Sequence, residues 1–108
     1  MGSQPAFAVY IRYLDPRRPV VEVHGEIDLA TAPQFADGVA AALRSDPTDV
    51  ILDFTETSFL DSSGISVMIE TRNCMHARSR LVIRRPLPFI CDVLTMLKLD
   101  TIFAIETL

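Results

Sequence analysis

The chain has 108 residues, 49% of them hydrophobic and 22% charged, which suits one domain with a proper core and excludes a disordered tract. Its net charge of −4 and its scattered arginines argue against nucleic acid as a partner, because phosphate backbones are met by concentrated Lys and Arg. No apolar run approaches the roughly 18 residues of a membrane span, and the first residues lack the basic-then-apolar pattern of a secretion signal; the expectation is a cytoplasmic chain with no direct membrane insertion.

Residues 7–13, Phe-Ala-Val-Tyr-Ile-Arg-Tyr, are aromatic and β-branched and predict a strand. Pro16 and Pro19 mark a turn, since each fixes φ and removes a donor. Residues 20–24 resume as a strand, and the two segments predict an antiparallel hairpin. Gly25-Glu26-Ile27-Asp28 then breaks the strand. Thr31 and Gln34 have the spacing of a capping box, with Pro33 in the first turn, where a missing N–H costs little. Phe35, Val39, Ala42 and Leu43 follow at i, i+4, i+7 and i+8, one apolar stripe on a helix that stops near Ser45, ahead of Pro47.

Residues 49–54 form an apolar run suited to a central, buried strand. A second helix is predicted over 63–77, with Ile65, Met68, Ile69 and Arg72 setting its period. Residues 80–84 form a further strand. Pro86 and Pro88 interrupt the chain before a third helix over 89–97, with Ile90, Val93, Leu94 and Leu97 on one face. Residues 101–106 close as a short strand. The order is β-β-α-β-α-β-α-β, an α/β fold with a mixed, mostly parallel sheet behind a leading antiparallel hairpin and helices packed against it. It is one domain over 1–108, with its core at about 7–105.

Cys74 and Cys91 fall in different helices without CxxC spacing, and His24 and His76 do not complete a zinc set, so both cysteines are expected as buried, reduced thiols and no metal is expected. The segment Leu60-Asp61-Ser62-Ser63-Gly64 carries the chemistry. A buried strand delivers it to the start of a helix, where unpaired N–H groups and the dipole favour negative charge. One reading makes Ser62 or Ser63 an N-cap with Asp61 as helper. Another makes a serine there a phosphate carrier, gaining about −1.5 to −2 charges beside Asp61. A catalytic serine would need a base and an orienting third group, but neither histidine makes such a pattern and G-x-S-x-G is absent. No glycine-rich phosphate loop is present either, so no enzyme activity and no cofactor are expected.

Gly25-Glu26-Ile27-Asp28-Leu29-Ala30-Thr31-Ala32-Pro33 resembles the start of the first helix in the STAS domain, the fold of bacterial anti-sigma factor antagonists. Phe59-Leu60-Asp61-Ser62-Ser63-Gly64-Ile65 resembles the phosphorylation segment of that family. The interval between the two and the surrounding element order are also similar, from about residue 7 to 105. The resemblance implies that the unmodified protein binds an anti-sigma factor that is also a serine kinase, freeing a sigma factor. The kinase then phosphorylates Ser62 with ATP, the partner is released, and a phosphatase resets the switch. It implies too that Asp28, Thr31, Asp61, Ser63 and Gly64 join Ser62 in the partner-binding surface, Gly64 by keeping the helix start bare for close approach.

The chain departs from the family pattern at Arg78-Ser79, where many members carry a glycine pair, and at Lys98, where many have a glycine after the third helix. Glycine adopts positive φ at helix ends most cheaply, so these helices are expected to end differently or under mild strain. An alternative use of the same fold is a docking subunit of a membrane transporter, for example a lipid ABC system. Exposed apolar residues on the third helix would favour it. A small-molecule sensor would need a pocket that the sequence does not mark.

Overall fold

The computed structural model describes residues 6–107 and builds them around a six-stranded sheet. In chain order the elements are β1 (Ala8–Tyr13), β2 (Pro19–Ile27), α1 (Ala32–Leu43), β3 (Asp49–Asp53), β4 (Thr57–Leu60), α2 (Ser62–Cys74), β5 (Arg80–Arg84), α3 (Pro88–Met96), a 3-10 turn (Leu99–Thr101) and β6 (Ala104–Glu106). The sheet runs β1-β2-β3-β5-β6, with β4 added beside β2. The β1–β2 pair is antiparallel and every other pair is parallel, as the alternation of strands and helices requires.

Alternation along the strands separates two faces. Val21 and Val23, Val50 and Leu52, and Leu81 and Ile83 share one core with Phe35, Val39 and Ala42 of α1, Ile65 and Met68 of α2, and Ile90 and Leu94 of α3. On the opposite face Val20, Ile51 and Val82 make a separate small cluster with Ala104. All three described helices therefore cover the first face.

Several expectations are corrected. Gly25-Glu26-Ile27-Asp28 does not break the strand, because β2 continues to Ile27. Gly25 has φ 99°, and the register shifts between it and Glu26, so the strand bends instead of ending. Its first half lies beside β3 and its second half beside β4. The strand β4 is additional to the expected order; Thr57 and Ser58 gave it a polar, loop-like look, yet Thr57 is buried and its hydroxyl donates to the Val23 carbonyl at 2.8 Å. Helix α2 starts one residue early and stops at Cys74, where Met75 turns extended and Arg72 donates to the carbonyls of His76 and Ala77. The last strand covers only 104–106, since 99–101 coils into the 3-10 turn. Neither thiol is buried: Cys74 is exposed and Cys91 half-buried, both free, because the buried face of α2 runs Gly64, Ile65, Met68, Thr71 and bypasses Cys74. Leu97 lies just past α3 and is 54% exposed, not on its buried face.

Candidate functional site

Strands β2 and β4 end side by side. Ile27 pairs with Leu60, and the Asp61 N–H donates to the Ile27 carbonyl at 3.1 Å. The chain leaves these two ends as two neighbouring segments, Asp28-Leu29-Ala30-Thr31 into α1 and Asp61-Ser62-Ser63-Gly64 into α2.

The first segment is closed by its own side chains. One Asp28 carboxylate oxygen accepts the N–H groups of Ala30 at 3.0 Å and Thr31 at 3.1 Å. The Thr31 hydroxyl donates to the Glu26 carbonyl at 2.7 Å and accepts from the Asp28 N–H at 2.9 Å. The expected capping box is therefore replaced: Thr31 makes no side-chain cap of α1, and its oxygen latches the segment back onto β2. Its hydroxyl is used inside the molecule. Leu29, at the crest of this segment, is 78% exposed.

The second segment has a single cap. Asp61 is extended, with φ −109° and ψ −173°, and its carboxylate accepts the Ser63 N–H at 2.8 Å. Neither serine is the N-cap, which corrects that expectation; a carboxylate beside a helix N-terminus gains from the dipole as well as the hydrogen bond. Ser62 becomes the first helical residue and is exposed, and among the described residues its hydroxyl has no hydrogen-bond partner. Ser63 is half-buried. Gly64 is buried. A Cβ there would lie 2.6 Å from Ile27 Cγ2 and closer still to Leu60 Cδ1. Its bareness lets α2 seat against β2 and β4 of the same molecule.

The structure thus brings Asp28, Thr31, Asp61, Ser62 and Ser63 to one end of the sheet and places Gly64 beneath them. Two apolar side chains on that end, Leu29 and the 39% exposed Phe59, escaped the sequence reading. The available signal for Leu29 was an apolar residue between a turn and a helix start. Glu26, Asp28 and Asp61 lie on or just before the two segments at this end, and among the described residues none of the three is in an ion pair. No histidine serves Ser62. His24 is held by Glu22 at 2.6 Å, while His76 lies past the far end of α2, roughly 20 Å along its axis. Among the described residues no group of three His, Cys, Asp or Glu side chains is placed to hold a metal, and no helix is long and apolar enough to cross a membrane.

A family model described as "Mlab, STAS domain" matches residues 13–106. The chain belongs to the STAS domain family. Among curated proteins, this STAS domain is 31% identical over 52 residues to the anti-sigma-F factor antagonist RsfB of Mycobacterium tuberculosis. That match spans 48% of this chain and 43% of the relative, less than half of either. The fold superposes on a solved anti-sigma factor antagonist from Mycobacterium paratuberculosis with a TM-score of 0.85, at 23% identity over 94% of this chain and 86% of that one. It also superposes on the Bacillus cell fate determinant SpoIIAA in its phosphorylated form, with a TM-score of 0.72 at 22% identity over 93% and 92% of the two chains. At such identities these neighbours establish the fold.

Proposed function

We propose that this STAS domain is a cytoplasmic anti-sigma factor antagonist that binds an anti-sigma serine kinase, is switched off by phosphorylation of Ser62, and is reset by a phosphatase. The observation that carries the reading is the division of labour at the start of α2. Asp61 caps the helix, and the Ser62 hydroxyl stands exposed with no structural task. A phosphate can be added there without removing a bond that holds the fold. The helix N-terminus tolerates the new charge, while Asp61 and its acidic neighbours deepen the negative potential a partner meets. ATP belongs to the kinase, and this chain does no chemistry of its own. The antagonist names of RsfB and the solved relatives support the reading.

The test is incubation with candidate anti-sigma kinases and ATP, followed by mapping of the modified peptide by mass spectrometry. Phosphate appears on Ser62, Ser62→Ala abolishes it while keeping the partner bound, and Ser62→Asp weakens binding. A kinase that binds yet leaves Ser62 unmodified sinks the proposal.

One observation favours a second reading, a docking subunit of a membrane transporter such as a lipid ABC system. Phe89, Met96 and Leu97 on and just after α3 are 42%, 78% and 54% exposed. In that case the protein co-purifies with a permease or its ATPase, Met96→Glu breaks the association, and Ser62→Ala leaves it intact.

A further inference from the structure

The strand β1 ends the sheet, with β2 as its one partner among the described residues. Sheet edges in monomers are usually blunted by proline, lysine, a bulge or shortness. The opposite edge, β6, is three residues long and carries Glu106. By contrast, β1 has six residues, Ala8–Tyr13, with no proline, lysine or register shift. Its one charge, Arg12, is drawn inward across the sheet toward Glu22 and Asp53, at 3.8 Å from each.

The phase of the hairpin fixes what this edge offers. The Leu14 N–H donates to the Arg18 carbonyl at 3.1 Å, and antiparallel pairing alternates from there. Arg12, Tyr10 and Ala8 therefore turn their N–H and carbonyl groups to β2, opposite Val20, Glu22 and His24. Those of Val9, Ile11 and Tyr13 point off the edge. The side chains of Val9 and Ile11 pack against the core, while Tyr10 lies on the other face, its ring edge-on to His24 with centroids 5.1 Å apart.

The geometry points to a second copy of this chain as the occupant of that edge, paired β1 to β1 in antiparallel fashion about a two-fold axis at Ile11. This register bonds Ile11 to Ile11 of the second copy, and Val9 to its Tyr13, so every outward backbone group of β1 is used. It also sets Tyr10 directly opposite Arg12 of the second copy, twice by symmetry, on the face away from the helices. A shift by one residue would leave the outward donors of one strand facing side-on groups of the other. The two sheets join into one, with β1 at its centre. The switch end of the molecule takes no part, so the pairing stands or falls independently of the function proposed above.

The test is sedimentation equilibrium on the unmodified full chain from micromolar to millimolar concentration, with three variants whose folding is checked by circular dichroism. The expected result is a reversible dimer. Tyr10→Lys places like charges opposite each other and raises the dissociation constant about tenfold or more, whereas Tyr10→Glu faces Arg12 and does not raise it. Tyr13→Pro removes an outward donor that β2 does not use, and weakens the dimer while the monomer stays folded. A monomer at every concentration overturns the proposal. So does a dimer that responds alike to both Tyr10 changes, or one indifferent to Tyr13→Pro.

Discussion

Asp61 and Ser63 are joined by a 2.8 Å hydrogen bond from the Ser63 N–H to the Asp61 carboxylate, and this bond separates the cap of α2 from its exposed hydroxyl. Losing a good N-cap costs about 1 kcal/mol. Asp61→Ala should therefore lower the urea midpoint by an amount worth about 1 kcal/mol at unchanged slope. Ser62→Ala removes an exposed group with no internal partner and should stay within about 0.5 kcal/mol of the parent. Equal losses from the two changes would mean that Ser62 shares the cap and is not free to be modified without cost.

Gly64 sets how closely α2 sits on the sheet. Helix propensity alone favours alanine over glycine by about 1 kcal/mol. Against that, a Cβ would press on Ile27 and Leu60, both buried, and overpacking costs about 1–3 kcal/mol. The second effect wins on these magnitudes, so Gly64→Ala should lower the melting temperature and Gly64→Val should lower it much further. A rise on Gly64→Ala would show that Leu60 swings aside and that the close approach is not needed.

Thr31 closes the segment beside the serines through its hydroxyl. Thr31→Val keeps the shape but strands the Asp28 N–H and the Glu26 carbonyl, which the hydroxyl now serves. The site is half-buried, so water restores part of the loss, and a cost of about 1 kcal/mol is expected. Thr31→Ser should retain most of the stability. Chemical denaturation of the pair decides the matter: a larger loss from Ser than from Val would trace the effect to the methyl group.

How much of this was readable in advance follows from what each element depends on. The stripe Phe35, Val39, Ala42 and the runs in β3 and β5 encode their own burial, and the structure buries them. The strand β4 does not encode itself. Its residues are polar at Thr57 and Ser58, and it exists because Gly25 turns the far half of β2 away from β3. The cap was ambiguous because Asp61, Ser62 and Ser63 are all good capping residues, and one residue of phase decides which is extended. The role of Gly64 depends on two strands distant in the chain, so the local pattern DSSG could show only that the position is small. Cys74 misled because an apolar residue at a helix end need not share the buried face.

Lys98 closes α3 with φ 60° and ψ 26°, the left-handed conformation in which a Cβ is crowded. The mild strain expected from a missing glycine is thus present in the backbone. The geometry is held from both sides: the Lys98 N–H donates to the Thr95 carbonyl at 2.9 Å, and the Thr101 hydroxyl donates to the Lys98 carbonyl at 2.7 Å. Lys98→Gly removes a strain of roughly 1–2 kcal/mol and gives back about 0.4–1 kcal/mol through a freer unfolded chain. A net gain of up to about 1.5 kcal/mol should raise the melting temperature by a few degrees in thermal scans. Lys98→Ala keeps the Cβ and should not reproduce the gain. If alanine raised the melting temperature as much as glycine, the cost would lie in the lysine side chain and not in the backbone it is forced to adopt.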